Sequence, residues 1–360
     1  MKAELTATDQ AHLRRALELA EGGRGRVSPN PLVGAVIVRD GEVIGEGFHA
    51  ELGDLHAERA ALADCRERGG DPAGATMYVT LEPCAHEGRQ PPCVEAILEA
   101  GIGRVVIASD DPSEKAAGRG PGILRDGGVE VAFASGAEAT AARRLNQPFR
   151  KHARTGLPLV VLKMAMSLDG QTATAPGDSP WISGPESREL VHRWRAESDA
   201  IAVGIGTVLA DDPLLTARVD GARQPKRVIF DSQARLPLDS QLLKTVDQAP
   251  VLVVTGHDAP RDPLDALERA GAETLVATDV ESALRDLGRR GVTSLFLEGG
   301  KTLASSFLSS GQIDESRTFI APILLGGNES AAAGERTVAL ESSTERVGDD
   351  TLITARFKEW

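Results

Sequence analysis

Aromatic side chains are scarce: Phe, Trp and Tyr make up 3% of the 360 residues, with a single tyrosine. Little material is therefore present for the stacking platforms that hold single-stranded nucleic acid. Excess positive charge is missing too. Forty Lys and Arg stand against 53 Asp and Glu, a formal net charge of −13, and a net-acidic surface repels a phosphate backbone. Nucleic acid is thus disfavoured as a partner. Three cysteines are too few for a paired disulfide framework, which points to a cytoplasmic setting. No apolar run approaches the roughly 18 residues that span a bilayer, and the opening MKAELTATDQ lacks the apolar stretch of a secretory signal. No membrane association is expected. What is there is globular composition, 41% hydrophobic and 26% charged, in a chain long enough for two domains with separate cores.

Periodicity gives an α/β chain in both halves. Thr8 to Gly23 reads as an amphipathic helix capped by Thr8 or Asp9, with Leu13, Leu17 and Ala20 on one face. Val33 to Val38 and Glu42 to Gly47 read as strands joined by an Asp40-Gly41 hairpin turn. Helices over Ala57–Arg68 and Val94–Ala100 alternate with strands over Thr76–Thr80, Arg104–Ala108 and Val129–Ala132, the pattern of a layered sheet. Arg143, Arg144, Arg150, Lys151, His152 and Arg154 form a basic stretch ending at Gly156-Leu157-Pro158, read as a solvated helix and linker. The domain boundary is placed there, giving domains 1–148 and 149–360. The second half resumes with strands at Leu159–Lys163, Ala200–Gly204, Arg227–Asp231, Pro250–Thr255, Glu273–Ala277 and Ser294–Leu297. Helices fall near Pro185–Ser198, Pro263–Ala270 and Val280–Arg290, and from Thr302.

The sharpest chemical signal is His56-Ala57-Glu58, then Pro83-Cys84, with Cys93 after eight intervening residues. One imidazole and two thiolates give zinc three protein ligands and leave a fourth position for water, the arrangement of a catalytic site. Zinc brings the pKa of such a water toward about 7, and Glu58 is placed to carry its proton to a departing nitrogen. Two residues apart is roughly 200° on a helix, so His56 and Glu58 converge only if His56 stands at the helix start, where Gly53 and Asp54 place it. Cys93 likewise opens a helix, whose positive end favours a thiolate. Taken singly, each of these residues reads as structural; together, in this order, they form the zinc deaminase signature. Cys65, half a turn from the His56 face, reads as packing.

In the second half, Glu298-Gly299-Gly300-Lys301-Thr302 and Gly204-Ile205-Gly206-Thr207 follow strands, as turns that cradle a cofactor diphosphate on backbone N–H groups do. Ordinary α/β turns look the same. Asp231 at a strand end suggests NAD through its ribose hydroxyls, whereas Ser232 and Arg235 offer contacts for an additional phosphate.

Four motifs in the first half, V-S-P-N-P-x-V-G at 27–34, G-E-G-F-H at 45–49, H-A-E at 56–58 and T-L-E-P-C-A-H-E-G-R-Q-P-P-C at 80–93, resemble the bifunctional riboflavin biosynthesis deaminase/reductase family. So do K-M-A-M-S-L-D-G at 163–170, W-I-S-G-P-E-S-R at 181–188, G-x-G-T-V-L-A-D-D-P-x-L-T-A-R at 204–218 and L-E-G-G at 297–300. The resemblance implies an N-terminal cytidine-deaminase-like three-layer α/β/α domain and a C-terminal dihydrofolate-reductase-like α/β domain. It implies hydrolytic deamination of 2,5-diamino-6-(5-phosphoribosylamino)pyrimidin-4-one, one zinc ion per chain, then NADPH reduction of the ribosyl group to ribityl. The implied partner is a phosphorylated pyrimidine, and the implied assembly a homo-oligomer, dimer or tetramer.

By the same resemblance Asn30, His49, His86, Arg89 and Asp111 line the deaminase pocket. Asn30 and Asp111 suit the pyrimidinone edge, and Arg89 the 5′-phosphate. Ser113 stands where the family usually has Asn, a hydroxyl with shorter reach than an amide. Ser179, Arg195, Leu215, Arg218 and Glu298 are implied substrate contacts of the reductase, with Arg195 and Arg218 suited to phosphate. Ala165, Trp181, Thr207, Asp211, Ser232, Gly299 and Gly300 are implied NADPH contacts. Lys163 and Asp169 either set the protonation of a sugar imine or fix the turn.

Two other functions compete. A nucleic-acid base deaminase with an appended binding domain shares the H-x-E signature, but the acidic balance and the eight-residue cysteine gap weigh against it. A non-catalytic binding protein that kept the fold is opposed by the complete ligand set of the first half and less strongly by the second.

Overall fold

The computed structural model describes residues 5–87, 90–114, 116, 118–172, 181–326 and 337–360. It comprises two compact units, 1–155 with Trp360, and 156–359. The position 148 named from composition lies inside a helix, and the chain leaves the first unit between Thr155 and Gly156.

The first unit runs α1 (Ala7–Ala20), β1 (Gly34–Arg39), β2 (Glu42–Phe48), α2 (Ala57–Glu67), β3 (Thr76–Val79), α3 (Cys93–Glu99), β4 (Arg104–Ile107), α4 (Arg119–Asp126), β5 (Glu130–Phe133), α5 (Ala137–Leu145) and α6 (Gln147–Thr155). Its sheet has the order β2-β1-β3-β4-β5. β1 is antiparallel to both neighbours, and β3, β4 and β5 are parallel. Alternation along β1 assigns its faces. Ala35 and Ile37 join Ala57, Ala61, Leu62, Val94, Ile97 and Leu124 beneath α2, α3 and α4, whereas Val36 and Val38 meet Leu13, Ala16 and Ala142 of α1 and α5. The result is the expected three-layer α/β/α domain. Gly47 is required on β2 because a Cβ there would run into the backbone of Ala61, so α2 lies close against the sheet.

Two sequence expectations are corrected here. The α1 cap is Thr6 rather than Thr8 or Asp9; Thr6 Oγ1 accepts from Asp9 N while the Asp9 carboxylate accepts from Thr6 N, a reciprocal capping box. The basic stretch is not a solvated linker. Arg150 and Lys151 are fully buried. Arg150 donates to the Trp360 carbonyl at 2.7 Å, the Asp110 carbonyl at 2.8 Å and Ser109 Oγ at 3.1 Å. A buried guanidinium is tolerable when oxygen acceptors surround it, and those acceptors come from distant positions that no local charge pattern reveals.

The second unit runs β6 (Leu159–Ser167), α7 (Pro185–Glu197), β7 (Ala200–Gly204), α8 (Ile205–Asp211), β8 (Lys226–Phe230), α9 (Gln241–Lys244), β9 (Val251–Thr255), α10 (Arg261–Arg269), β10 (Glu273–Val276), α11 (Val280–Arg289), β11 (Ser294–Glu298), α12 (Lys301–Ser309), β12 (Glu315–Ala321), β13 (Glu341–Val347) and β14 (Asp350–Arg356). Nine strands form one sheet in the order β10-β9-β8-β7-β11-β6-β12-β14-β13. All pairs are parallel except β12·β14 and β13·β14. The α/β class holds for this half as well. The central strands are apolar on both faces, as covered parallel strands are. Val160, Leu162, Ala202, Val228 and Leu297 pack against α11 and α12, and Trp194 of α7 stacks on Phe319 and meets Phe296 edge-on. The parallel order brings the ends of β6, β7, β8 and β11, with the turns that follow them, to one edge.

Candidate active sites

His56 is the N-cap of α2, with extended backbone angles (φ −66°, ψ 156°), and Glu58 stands in the first turn behind it. The convergence condition raised by the sequence is therefore met: the break in helical geometry at the cap lets both side chains face one point. Cys93 is the first residue of α3. Its N–H donates to Cys84 Sγ at 3.3 Å, and the Val94 N–H donates to the Cys84 carbonyl at 3.3 Å, so the start of α3 holds the cysteine loop in place.

His56 Nδ1 lies 3.6 Å from Cys84 Sγ and 3.4 Å from Cys93 Sγ, and the three donor atoms all lie within 4.8 Å of one another. A tetrahedral zinc with bonds of about 2.3 Å to sulfur and 2.05 Å to nitrogen requires nitrogen–sulfur separations of about 3.6 Å. The donors fit that ion in type and in spacing. Their electrostatics agree. Donation from Cys93, with a further contribution from His56, lowers the Cys84 thiol to about 4, while the Cys93 thiol is driven up by its bond to Cys84 and by burial. A dication bound there would displace the protons these donors hold. Glu58 is buried, and burial together with the Cys84 charge pushes its carboxyl up to about 7, matched to proton transfer at neutral pH.

Asn30 and His49 sit beside this centre. His49 meets the His56 ring edge-on at 5.5 Å. One of its ring nitrogens pairs with Asn30 Nδ2 at 3.1 Å and the other with the Leu55 carbonyl at 3.0 Å. Both nitrogens are thus engaged within the protein, and His49 orients Asn30. Burial lowers the His49 pKa, favouring the neutral ring that this pairing needs. Asp111 accepts from the Ser113 N–H at 2.8 Å, so Ser113 contributes its backbone to the turn that holds Asp111. Burial raises the Asp111 carboxyl, and His86 is close enough to oppose that shift; His86 Nδ1 is buried without a hydrogen-bond partner. Arg89 lies outside the described residues.

In the second unit, the turns Gly204 and Gly299-Gly300 adjoin. A Cβ on Gly299 would meet Gly204 N at 3.7 Å, and one on Gly300 would meet Thr207 Oγ1 at 3.9 Å. Gly300 caps α12 with no side-chain hydrogen bond, leaving N–H groups at a positive helix end beside Thr207. This glycine-lined cradle fits a diphosphate. Ser232 follows β8, Asp211 ends α8, Ala165 lies on β6, and Trp181 is exposed beneath the Arg188 guanidinium, 5.1 Å from the ring centre. The structure corrects the suggestion of NAD from Asp231. That carboxylate is fully buried, accepts from the Leu236 N–H at 2.8 Å and faces Arg235 at 3.6 Å, so it builds the turn instead of presenting itself to a ribose.

At the end of β11, Glu298 pairs across the sheet with Lys163 of β6. Arg195 of α7 clamps Glu298 through two bonds, Nε to Oε1 at 2.6 Å and Nη2 to Oε2 at 2.9 Å. Despite burial, Arg195 and then Lys163 hold the Glu298 carboxyl below its usual value, and burial lowers Lys163. Arg218 is exposed, and Leu215 is buried. Asp169 accepts from Ser167 Oγ and from the Leu325 and Gly326 N–H groups; it fixes a turn. Ser179 lies outside the described residues. Sequence reasoning missed His192, one turn before Arg195, and Arg227, a fully buried guanidinium that bonds to backbone carbonyls, among them Leu214 and Thr245.

Comparison with known proteins yields the following. Residues 6–109 match the family model of the cytidine and deoxycytidylate deaminase zinc-binding region, and residues 158–353 that of the RibD C-terminal domain. The riboflavin biosynthesis protein RibD of Actinobacillus pleuropneumoniae is 41% identical, over 97% of this chain and 95% of its own length. That of Escherichia coli is 40% identical over 89% of each. Among solved structures, Acinetobacter baumannii RibD superposes with a TM-score of 0.86 at 38% identity, covering 98% of this chain and 99% of that one. The diaminohydroxyphosphoribosylaminopyrimidine deaminase/5-amino-6-(5-phosphoribosylamino)uracil reductase of Thermotoga maritima gives 0.86 at 36% identity, with the same coverage. Among the described residues no helix is long and apolar enough to cross a membrane.

Proposed function

The chain belongs to the RibD family of bifunctional deaminase/reductases of riboflavin biosynthesis, and from that premise we propose that its first unit deaminates 2,5-diamino-6-(5-phosphoribosylamino)pyrimidin-4-one and its second reduces the ribosyl group of the product. The observation that carries this reading is the convergence of His56, Cys84 and Cys93 at zinc-binding distances, with the Glu58 carboxyl behind them.

His56, Cys84 and Cys93 hold zinc, which when bound supplies the Lewis acidity that makes water a nucleophile at neutral pH. Glu58 takes the proton released by that water on a carboxylate oxygen and returns it to the leaving amino nitrogen, a role worth about 10²–10⁴-fold in rate. Asn30, steadied by His49, and Asp111, steadied by Ser113, read the pyrimidinone edge, with His86 beside them and Arg89 serving the 5′-phosphate. In the second unit, the Gly204 and Gly299-Gly300 turns with Thr207 hold the diphosphate of NADPH. Ala165, Trp181, Asp211 and Ser232 complete its contacts. NADPH when bound supplies the hydride; Glu298, held by Arg195, and Leu215, with Ser179 and Arg218, place the sugar carbon to receive it. A cytoplasmic homo-oligomer, dimer or tetramer, belongs to the same reading.

The purified protein given the diaminopyrimidine phosphate should release ammonia without NADPH and consume NADPH only after ammonia release has begun. Ammonia release from transfer RNA or single-stranded DNA, with none from the diaminopyrimidine, would overturn the substrate assignment. NADPH consumption failing with pre-deaminated substrate would remove the reductase half alone.

A further inference from the structure

Leu32 lies between the turn that carries Asn30 and the start of β1, outside the ladder of the sheet. The Asn30 N–H donates to the Val27 carbonyl at 2.9 Å, and Val27 and Leu32 pack with Ala20 and Leu145. A buried N–H and carbonyl in such a stretch are costly unless something pairs with them. Asn146 meets both. Its Oδ1 accepts from the Leu32 N–H at 2.8 Å, and its Nδ2 donates to the Leu32 carbonyl at 2.9 Å, so a side-chain amide stands in for a neighbouring strand. One residue further, the Val33 carbonyl accepts from the His49 N–H at 3.0 Å, and the His49 ring pairs with Asn30 Nδ2. The clamp on Leu32 therefore sits at the root of the Asn30–His49 pair.

Asn146 is 2% exposed and closes α5 where the chain turns into α6. That corner is held from a second side. The Arg150 N–H donates to the Asn146 carbonyl at 2.9 Å, and the buried Arg150 guanidinium reaches Ser109 Oγ and the Asp110 carbonyl. Ser109 and Asp110 lead directly into Asp111. One buried corner thus bonds to the segment that follows Asn30 and to the segment that precedes Asp111.

We propose that Asn146 is a positioning residue of the deaminase, setting the place of Asn30 through its two-pronged grip on the Leu32 backbone. This rests on the reading that Asn30 holds the pyrimidinone edge. Asn146 touches no reacting atom; it fixes the loop from which Asn30 reaches the substrate, against a corner that Arg150 keeps from shifting.

The experiment is a double-mutant cycle on ammonia release from the diaminopyrimidine phosphate, with wild type, Asn146→Ala, Asn30→Ala and the double variant in the full chain. Asn146→Ala should lower kcat/KM roughly ten-fold or more, the scale of a displaced contact. The loss should fall in KM with kcat near wild type, because an edge contact binds substrate and transition state alike. Zinc content and reduction of pre-deaminated substrate should be unchanged. The double variant should fall no further than Asn30→Ala, since residues acting through one contact do not add. Losses that multiply, or a loss confined to kcat with KM unchanged, overturn the proposal. A second measurement stands whatever the folding of the Ala variants. In the full chain carrying Glu58→Gln, which stalls turnover, saturating diaminopyrimidine phosphate should slow hydrogen exchange of the Leu32 N–H, because opening the clamp then also costs the substrate contact. An unchanged Leu32 exchange rate overturns the proposal as well. Asn30→Ala deaminating as fast as wild type would sink the underlying reading of Asn30 and the proposal with it, a different outcome from multiplied losses.

Discussion

The metal centre of the first unit and the charged cluster of the second are built in opposite ways. The first draws His56, Glu58, Cys84 and Cys93 from two helix starts and one loop within a short stretch of chain, and each residue is there for what its own atoms bind. The second draws Lys163, His192, Arg195, Arg218 and Glu298 from two strands, a helix and an anchored segment, and most of its bonds run between its own members or to backbone. A metal site advertises itself because few residue types serve as ligands and their spacing is narrow. A site made of ion pairs and backbone turns uses residues that are common on every surface.

Breaking the first site should therefore leave the second working, and the largest expected effect is there. Glu58→Gln keeps a side chain of the same shape without the proton-carrying oxygen. Ammonia release should fall about 10²–10⁴-fold with zinc content unchanged by elemental analysis and reduction of pre-deaminated substrate intact. Deamination near the wild-type rate would remove Glu58 from the proton path.

The reciprocal break is Arg195→Ala. The Arg195–Glu298 pair is mostly buried, with side chains 15% and 12% exposed. Removing one partner strands a carboxylate and costs about 3–5 kcal/mol. Denaturant unfolding should show that loss in the second unit, with reductase activity reduced and ammonia release retained. A loss below about 1 kcal/mol, the worth of a surface pair, would show that solvent reaches the site more freely than the structure indicates.

Thr6→Ala sharpens the contrast with a change remote from both sites. Removing one half of the α1 capping box should cost roughly 1 kcal/mol in the first unit, measured by the same unfolding experiment, with both activities unchanged at 25 °C.

How far each region could be read from the sequence follows from the same contrast. The apolar runs of β1, β7, β8 and β9, buried on both faces, were legible because burial alone dictates them. The strands β12, β13 and β14 were not read. Glu341–Val347 is exposed along nearly its whole length, and a strand held only by its ladder bonds leaves no hydrophobic pattern. Arg150 and Arg227 carry the same lesson inward, since many of their acceptors are backbone carbonyls and a carbonyl has no letter in the sequence. Thr6, Thr8 and Asp9 are all competent caps; only the reciprocal bond between Thr6 and Asp9 decides among them. At the metal centre the ligand types were plain, but their meeting depended on His56 adopting a cap conformation. For Asp231 the strand-end position was correct and its direction was not.

The most direct measurement on the central claim is X-ray absorption at the zinc edge of the purified, full-length protein. One zinc per chain should appear with one nitrogen at about 2.0–2.1 Å and two sulfurs at about 2.3 Å, completed by a light atom. Absence of zinc, or a shell without sulfur, would contradict the convergence of His56, Cys84 and Cys93 on a single ion.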